Sequence, residues 1–591
     1  MKIDEYEKLI TDIETQSFGV KYDFQIAEAF SKLLEDHKNK LTPDQEQQLK
    51  WEFLLFRLMT KNHFASDGLK TERFVPMATF NDGSIFPDPN SFLEPALLYF
   101  EKRAKDSTNP ILKARYLDFL WEKSKDKKKH LFAIEAINQY LLTVDSYHVE
   151  DAIIERLDGL QRATELALIF EAKKTDKPLC NKVVAKLNEL IETTAKDKKY
   201  RWLIEMFELV LALPSFYSEK QIQEFVALCE AAAKSYHADQ NFHLQRHFLQ
   251  LKADLMKLIN TATDPQKVVD EEIGKAWIDE AEAKSGSGLV KVHFLQQAID
   301  HYSKLGNMKK VEELVTEVKA ATKQAIDNKE FKEFSSTVEM KKEDVEKMKA
   351  SLGTGEEVPE RIGTVPTFFP NWDQAIQMTE KYRKEFVFLH LGNKVTYGQQ
   401  YPISSPQTPE EQQEDQVMDN FKIIADLSLQ WLTSFLEELK KEKKLSLEDF
   451  QKFFSFLKAV DEDTHETVTQ GLDSYFKGDH FNATYVLALQ LEDFLRRLLA
   501  GFGKETTIPE KGAFREKTLG PVLRELRAYI REPIYRYICW VMVDYRGFNL
   551  RNDIAHGFFK KKRANPIYST AIIHIFCLLI ANTKISVKEK K

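Results

Sequence analysis

Near its C-terminus the chain reads Arg551-Asn552-Asp553-Ile554-Ala555-His556-Gly557. An imidazole near its ordinary pKa of about 6.5 can take up and release protons at neutral pH. A guanidinium stays cationic and offers forked donors that match phosphoryl oxygens. Asn552, between them, can orient either group. Four residues separate Arg551 from His556, and that spacing alone is a weak signal. Arg57 and His63 fit a looser version of it. Leu58 follows Arg57 within an apolar helical stretch, so that pair reads as structural.

The context of the C-terminal pair is more specific. Lys477-Gly478-Asp479 reads as the end of one helix and the cap of the next. Leu487, Leu491, Phe494, Leu495 and Leu498 then make one apolar helix face. Helices are predicted around Leu519–Ile530 and Ile534–Tyr545. Asn565-Pro566 starts a closing apolar helix, with Asn as cap and Pro in the first turn. The apolar run 567–581 is shorter than the ~20 residues that span a bilayer, so it is expected as a buried helix.

These residues together resemble the HEPN superfamily, a helical bundle carrying an R-x(4–6)-H motif. The wider context also resembles one bacterial branch, in which a Gly-Asp turn and a Gln-x-Glu-x-x-x-Arg helix precede RN-x-x-AHG. Here those positions are Gly478, Asp479, Gln490, Glu492 and Arg496. The N-terminal stretches FNDGSIFPD and KARYLDFLW are similar to the companion region of that branch. The resemblance implies a metal-independent endoribonuclease in bacterial defence or stress response. His556 would be the general base or acid, Arg551 the transition-state clamp, and Asn552 the orienting group. It also implies a homodimer, since the family pools two motifs and one such segment is visible here. No cofactor and no metal are expected. Glu492 and Arg496, one turn apart, are expected as an ion pair supporting the motif. A competing reading is an inactive HEPN domain that only dimerises, beside a helical-repeat scaffold. Arg551 would then pair with Glu492 or Asp553, and His556 would merely end a helix.

Charge supports the first reading locally. The chain has 591 residues and a formal net charge of −7, which taken whole argues against a nucleic-acid-coated protein. Between Lys504 and Arg563, however, 14 Lys/Arg face 7 Asp/Glu. Lys560, Lys561, Lys562 and Arg563 follow His556 closely and are expected as RNA-backbone contacts.

The remaining chain must position this segment. Gly (21) and Pro (19) are too scarce for an all-β architecture, and helical periodicity dominates. The fold class expected is all-α, with a small β-hairpin near 385–400 around Gly392-Asn393. Residues 1–199 read as a helical domain with an irregular insert, Thr79–Phe92. Asn109-Pro110 starts a strong helix on which Arg115 and Asp118 are expected to pair beside Trp121. Residues 200–350 read as helical-repeat-like, with an antiparallel hairpin turning at Leu305-Gly306-Asn307. Residues 351–460 are expected to hold a Gly/Pro-rich linker (351–366), the hairpin, an exposed loop (402–415) and connecting helices. Residues 461–591 would be the HEPN bundle. The N-terminal helical region is the expected docking place for a protein or ligand trigger.

Other chemistry falls away. Cys180, Cys229, Cys539 and Cys577 form no CxxC pair. His465-Glu466 starts like HExxH, but position 469 is Thr. His243 and His247 lack the intervening glutamate. No P-loop or GxSxG is present. The charged N-terminus lacks a signal-peptide core, so a cytoplasmic location without membrane association is expected.

Overall fold

A computed structural model describes the chain except residues 21, 62–72, 81, 149–151, 172–173, 260–263, 333–339, 387–393, 398–400, 456–460 and 583–591. The fold is almost entirely α-helical. Among the described residues the only strands are eight short ones, in four two-stranded antiparallel pairs. No described helix is long and apolar enough to cross a membrane. The chain divides into two compact units, Met1–Glu317 and Val318–Lys591. The expected border at 199/200 falls inside the first, and those at 350 and 460 fall inside the second.

In the first unit, Asn109 caps the helix Pro110–Lys123 as expected, accepting from the Ile111 and Leu112 amides. Thr79–Phe92 includes the second strand of a small antiparallel pair, Ala78–Thr79 with Ile85–Phe86. Gly83 turns between them at a φ of +83°, a backbone conformation glycine adopts without strain. Arg115 and Asp118 do not form the expected pair with each other. Arg115 donates to the Leu55 and Leu58 carbonyls at 2.6–3.2 Å. Asp118 instead accepts from Arg162 at 2.9–3.2 Å and from the Tyr140 hydroxyl at 2.8 Å. Both choices follow from burial: each group sits inside the core, where it needs several close donors or acceptors and not one exposed neighbour. Arg57 lies with its guanidinium over Phe53, and His63 is outside the described residues.

Helices continue through the middle of the chain. Leu203, Phe207 and Val210 are fully buried on one face. Gly306 turns at a φ of +72° between the helices Gly288–Lys304 and Met308–Asp327. Close packing runs between successive helices Glu219–Ala238, Phe242–Met256, Pro265–Ala283 and Gly288–Lys304.

The second unit has one core drawn from Leu352 to Leu579. The stretch 351–366 is not a linker, because it contains the helix Glu357–Thr364. Val358 and Ile362, one turn apart, are fully buried. Gly363 lies so close to the closing helix that a Cβ would sit 2.3 Å from the Cys577 carbonyl oxygen. The expected hairpin turn at Gly392-Asn393 falls outside the described residues. The strand pair observed joins Thr396–Tyr397 to Pro402–Ser404. Part of the expected loop is therefore strand, and a 33-residue helix starts at Pro409 with a Thr408 capping box.

The closing helix Pro566–Asn582 is buried from Ser569 to Leu579. It packs on Glu357–Thr364, on the long helix Pro409–Lys441 and on His480–Gly501. His480–Gly501 also pairs with Glu462–Phe476, the two joined at Gly478 and capped by Asp479, as the sequence predicts. Shorter helices Leu519–Leu526 and Glu532–Met542 complete the approach to the motif.

Candidate functional site

Arg551 to Ala555 lie in a short helix, Leu550–Ala555, and His556 caps its end. The chain must turn sharply to enter it. Gly547 passes so close to Trp540 that a Cβ would stand 2.1 Å from its carbonyl oxygen. Asn549 then takes the left-handed conformation, φ +51°, which asparagine tolerates better than most residues. Leu550 and Ile554, one turn apart, point into the core. That anchors the helix and turns Asn552 and His556 away from it.

Arg551 reaches the helix His480–Gly501, where its Nε donates to Glu492 at 2.8 Å and its Nη2 at 3.5 Å. Arg496 donates to the same carboxylate at 2.7 Å, so the expected Glu492–Arg496 pair is present and also holds Arg551. Arg496 turns its other nitrogen to the Lys517 carbonyl and to Glu516. The Glu492 carboxylate is almost buried and shared by two guanidiniums, a geometry that repays its desolvation. Nε and one Nη of Arg551 are used, which leaves the remaining N–H groups available.

Asn552 donates to the Asn549 side chain at 2.7 Å and to the Val543 carbonyl at 3.4 Å. Its own carbonyl accepts from the His556 amide at 2.9 Å. His556 is exposed at the helix end. Its imidazole lies 5.9 Å, centroid to centroid, from the Phe558 ring. Asp553 points elsewhere: it accepts from Arg563 at 2.7 Å, and its carbonyl accepts from the amides of Phe558 and Phe559.

The basic run divides accordingly. Lys560, Lys561 and Lys562 are exposed and make no ion pair among the described residues, whereas Arg563 is half-buried and neutralised by Asp553. Much of the local positive excess is likewise consumed, as Lys517, Arg527, Arg536 and Arg546 all pair with carboxylates.

Beside the motif lies a cavity of about 660 Å³ that the sequence reading missed. Tyr401, Tyr545, Phe548 and Phe558 line it together with Lys560 and Arg563. Arg551, Asn552 and His556 are not among its lining residues. Tyr545 and Phe558, an aromatic on either side of the motif, were a visible signal. Tyr401, some 150 positions upstream, was not.

Among the described residues no group of three or more His, Cys, Asp or Glu side chains is placed to hold a metal ion. The described cysteines are free, and burial pushes their thiols up, Cys180 and Cys539 to about 11. That keeps them from acting as thiolates at neutral pH.

A domain of unknown function (DUF7380) matches residues 21–178. No curated protein and no solved structure matches the chain.

Proposed function

We propose that the chain is a metal-independent endoribonuclease of HEPN type, acting as a homodimer. The observation that carries this reading is the short motif helix. It is held to the bundle by Leu550, Ile554 and the Arg551–Glu492–Arg496 cluster, and it ends on an exposed imidazole. Three exposed lysines follow within six residues.

In the proposed reaction the RNA 2′-oxygen attacks the adjacent phosphorus. A P–O2′ bond forms and the P–O5′ bond breaks, leaving a 2′,3′-cyclic phosphate and a 5′-hydroxyl. One His556 takes the 2′-hydroxyl proton. A second His556, supplied by the other copy, gives a proton to the leaving 5′-oxygen. Arg551 lends its free N–H groups to the phosphoryl oxygens as negative charge grows. Asn552, tied to Asn549 and Val543, fixes the turn that carries His556. The N-terminal helical region would regulate the activity, raising it above the free chain's basal rate when a protein or ligand trigger docks, in a defence or stress setting inside the cytoplasm.

A second reading is an inactive HEPN dimerisation module beside a protein-binding helical scaffold. The 2.8 Å contact between Arg551 and Glu492 favours it, because the arginine's charge already has a partner. The two readings separate in one assay. Purified full-length protein is incubated with total RNA in EDTA beside His556→Ala and Arg551→Ala. The nuclease reading expects cleavage by the parent protein and a loss of at least about 100-fold in each variant. Equal RNA integrity in all three, with dimers retained, supports the scaffold.

A further inference from the structure

The cavity beside the motif has an unusual lining. Tyr401, Tyr545 and Phe558 are 45%, 52% and 54% exposed, yet all three face one space. Apolar rings normally hide such area or mark a binding surface. Phe548 forms a firmer wall, since its ring packs 4.2 Å from Trp540 and 4.8 Å from Tyr568, centroid to centroid. The charged lining is equally selective. Asp553 is occupied by Arg563, so Lys560 has no ion-pair partner among the described residues and stands as a cation at the rim. Rings that can stack on a flat π-face, beside a free ammonium, match an unstacked nucleobase joined to a phosphate. The volume of about 660 Å³ lies within the range of small-ligand sites. Phe558 links this space to the motif, because its ring neighbours the His556 imidazole at 5.9 Å.

We propose that this cavity is a base-stacking subsite for single-stranded RNA, taking one splayed nucleotide next to the scissile position. The base lies against Tyr545 and Phe558, and Lys560 meets the flanking phosphate. The inference rests on the nuclease reading for its substrate and adds where the strand is gripped. It also explains why a duplex would be a poor ligand, since a paired base has no free face to offer.

The test uses the full chain carrying His556→Ala, so that the probe survives, and a fluorescein-labelled ten-nucleotide polyadenylate RNA in EDTA. Tyr545→Ala and Phe558→Ala are each expected to weaken binding about tenfold, and Tyr545→Phe to leave it within about twofold. Phe514→Ala, removing a ring 77% exposed on the strand Ala513–Glu516, serves as control and leaves binding unchanged. All these side chains are solvent-facing, and retained melting temperatures confirm folding. Wild-type binding in both alanine variants, or an equal loss in the control, overturns the proposal. Adenosine monophosphate is the competing arm. If it binds as tightly as the strand with the same ring dependence, the cavity is a mononucleotide pocket and the strand assignment is wrong. Cleavage by the parent chain is scored separately. Ring-dependent binding without any cleavage sinks the nuclease reading and leaves the subsite. Cleavage that ignores both rings does the reverse.

Discussion

The two units treat their charges in opposite ways. In the N-terminal unit Arg162, Asp118 and Glu165 lie fully buried and pair with one another, Asp118 also taking Arg73 and the Tyr140 hydroxyl, and Glu52 is closed in by Arg103, Tyr99 and Tyr116. In the C-terminal motif the same residue types stay half in water. Arg551 keeps N–H groups without a partner among the described residues, His556 is exposed, and Lys560 to Lys562 make no ion pair there. A closed network cannot take a ligand without breaking, so its contribution is to specify a core. An open one costs little to the fold and has valences left for a partner. The contrast teaches that buried charge density is a poor guide to function in this chain. The most densely charged interior lies in the N-terminal unit, and the chemistry proposed here belongs to the sparser, wetter cluster.

That contrast can be broken or sharpened at several points. The largest effect is expected in the closed network. Asp118→Ala leaves Arg162 buried without its main partner and should cost about 3–5 kcal/mol, read as a shift in the urea midpoint. A change below 1 kcal/mol would mean the network is not closed. In the motif, Glu492→Ala should cost less, about 2 kcal/mol, because the two arginines it releases are 18% and 24% exposed and can turn to water. A fully buried-type loss there would erase the distinction between the two regions.

The third effect appears with pH. Burial in the closing helix pushes the His574 imidazole down to about 3. Above its unfolded pKa of about 6.5 both states are neutral, and the folded state suffers no penalty. Between about 6.5 and 3 only the unfolded chain takes the proton, so stability falls as pH falls. At pH 5.5 the loss from this group is about 1.4 kcal/mol. His574→Gln should remove that part of the acid slope in urea titrations at pH 7.5 and 5.5. An unchanged slope would contradict the assignment.

The smallest effect on stability is expected at the open end. Lys560→Ala with Lys562→Ala should change folding by less than about 0.5 kcal/mol. Each lysine should nevertheless lower the slope of log affinity against log salt for single-stranded RNA by about 0.7. An unaltered slope would remove the lysines from the RNA interface.

Local signals in the sequence were read well. Asn109-Pro110, Gly478-Asp479 and Asn565-Pro566 mark helix starts because capping is decided by neighbours in the chain. The Glu492–Arg496 pair is legible for the same reason, one turn of one helix. Non-local choices were not legible. Arg115 and Asp118 look like an intrahelical pair until the fold brings Leu55, Leu58 and Arg162 to them. The Gly/Pro content of 351–366 looks like a linker, but Gly363 is there for a close approach to the closing helix. Glu492 and Asp553 are both candidate partners for Arg551 in the sequence, and only tertiary packing chooses Glu492. The aromatic cavity needs Tyr401 beside Tyr545, a contact no spacing rule announces.

The most direct test of the central claim is the chemistry of the RNA ends. Parent protein is incubated with a defined single-stranded RNA in EDTA, and the products are resolved by mass spectrometry. Cleavage through the 2′-oxygen predicts a 2′,3′-cyclic phosphate on one fragment and a 5′-hydroxyl on the other, both absent with His556→Ala. Fragments ending in 3′-hydroxyl and 5′-phosphate, or the same products from His556→Ala, would contradict it.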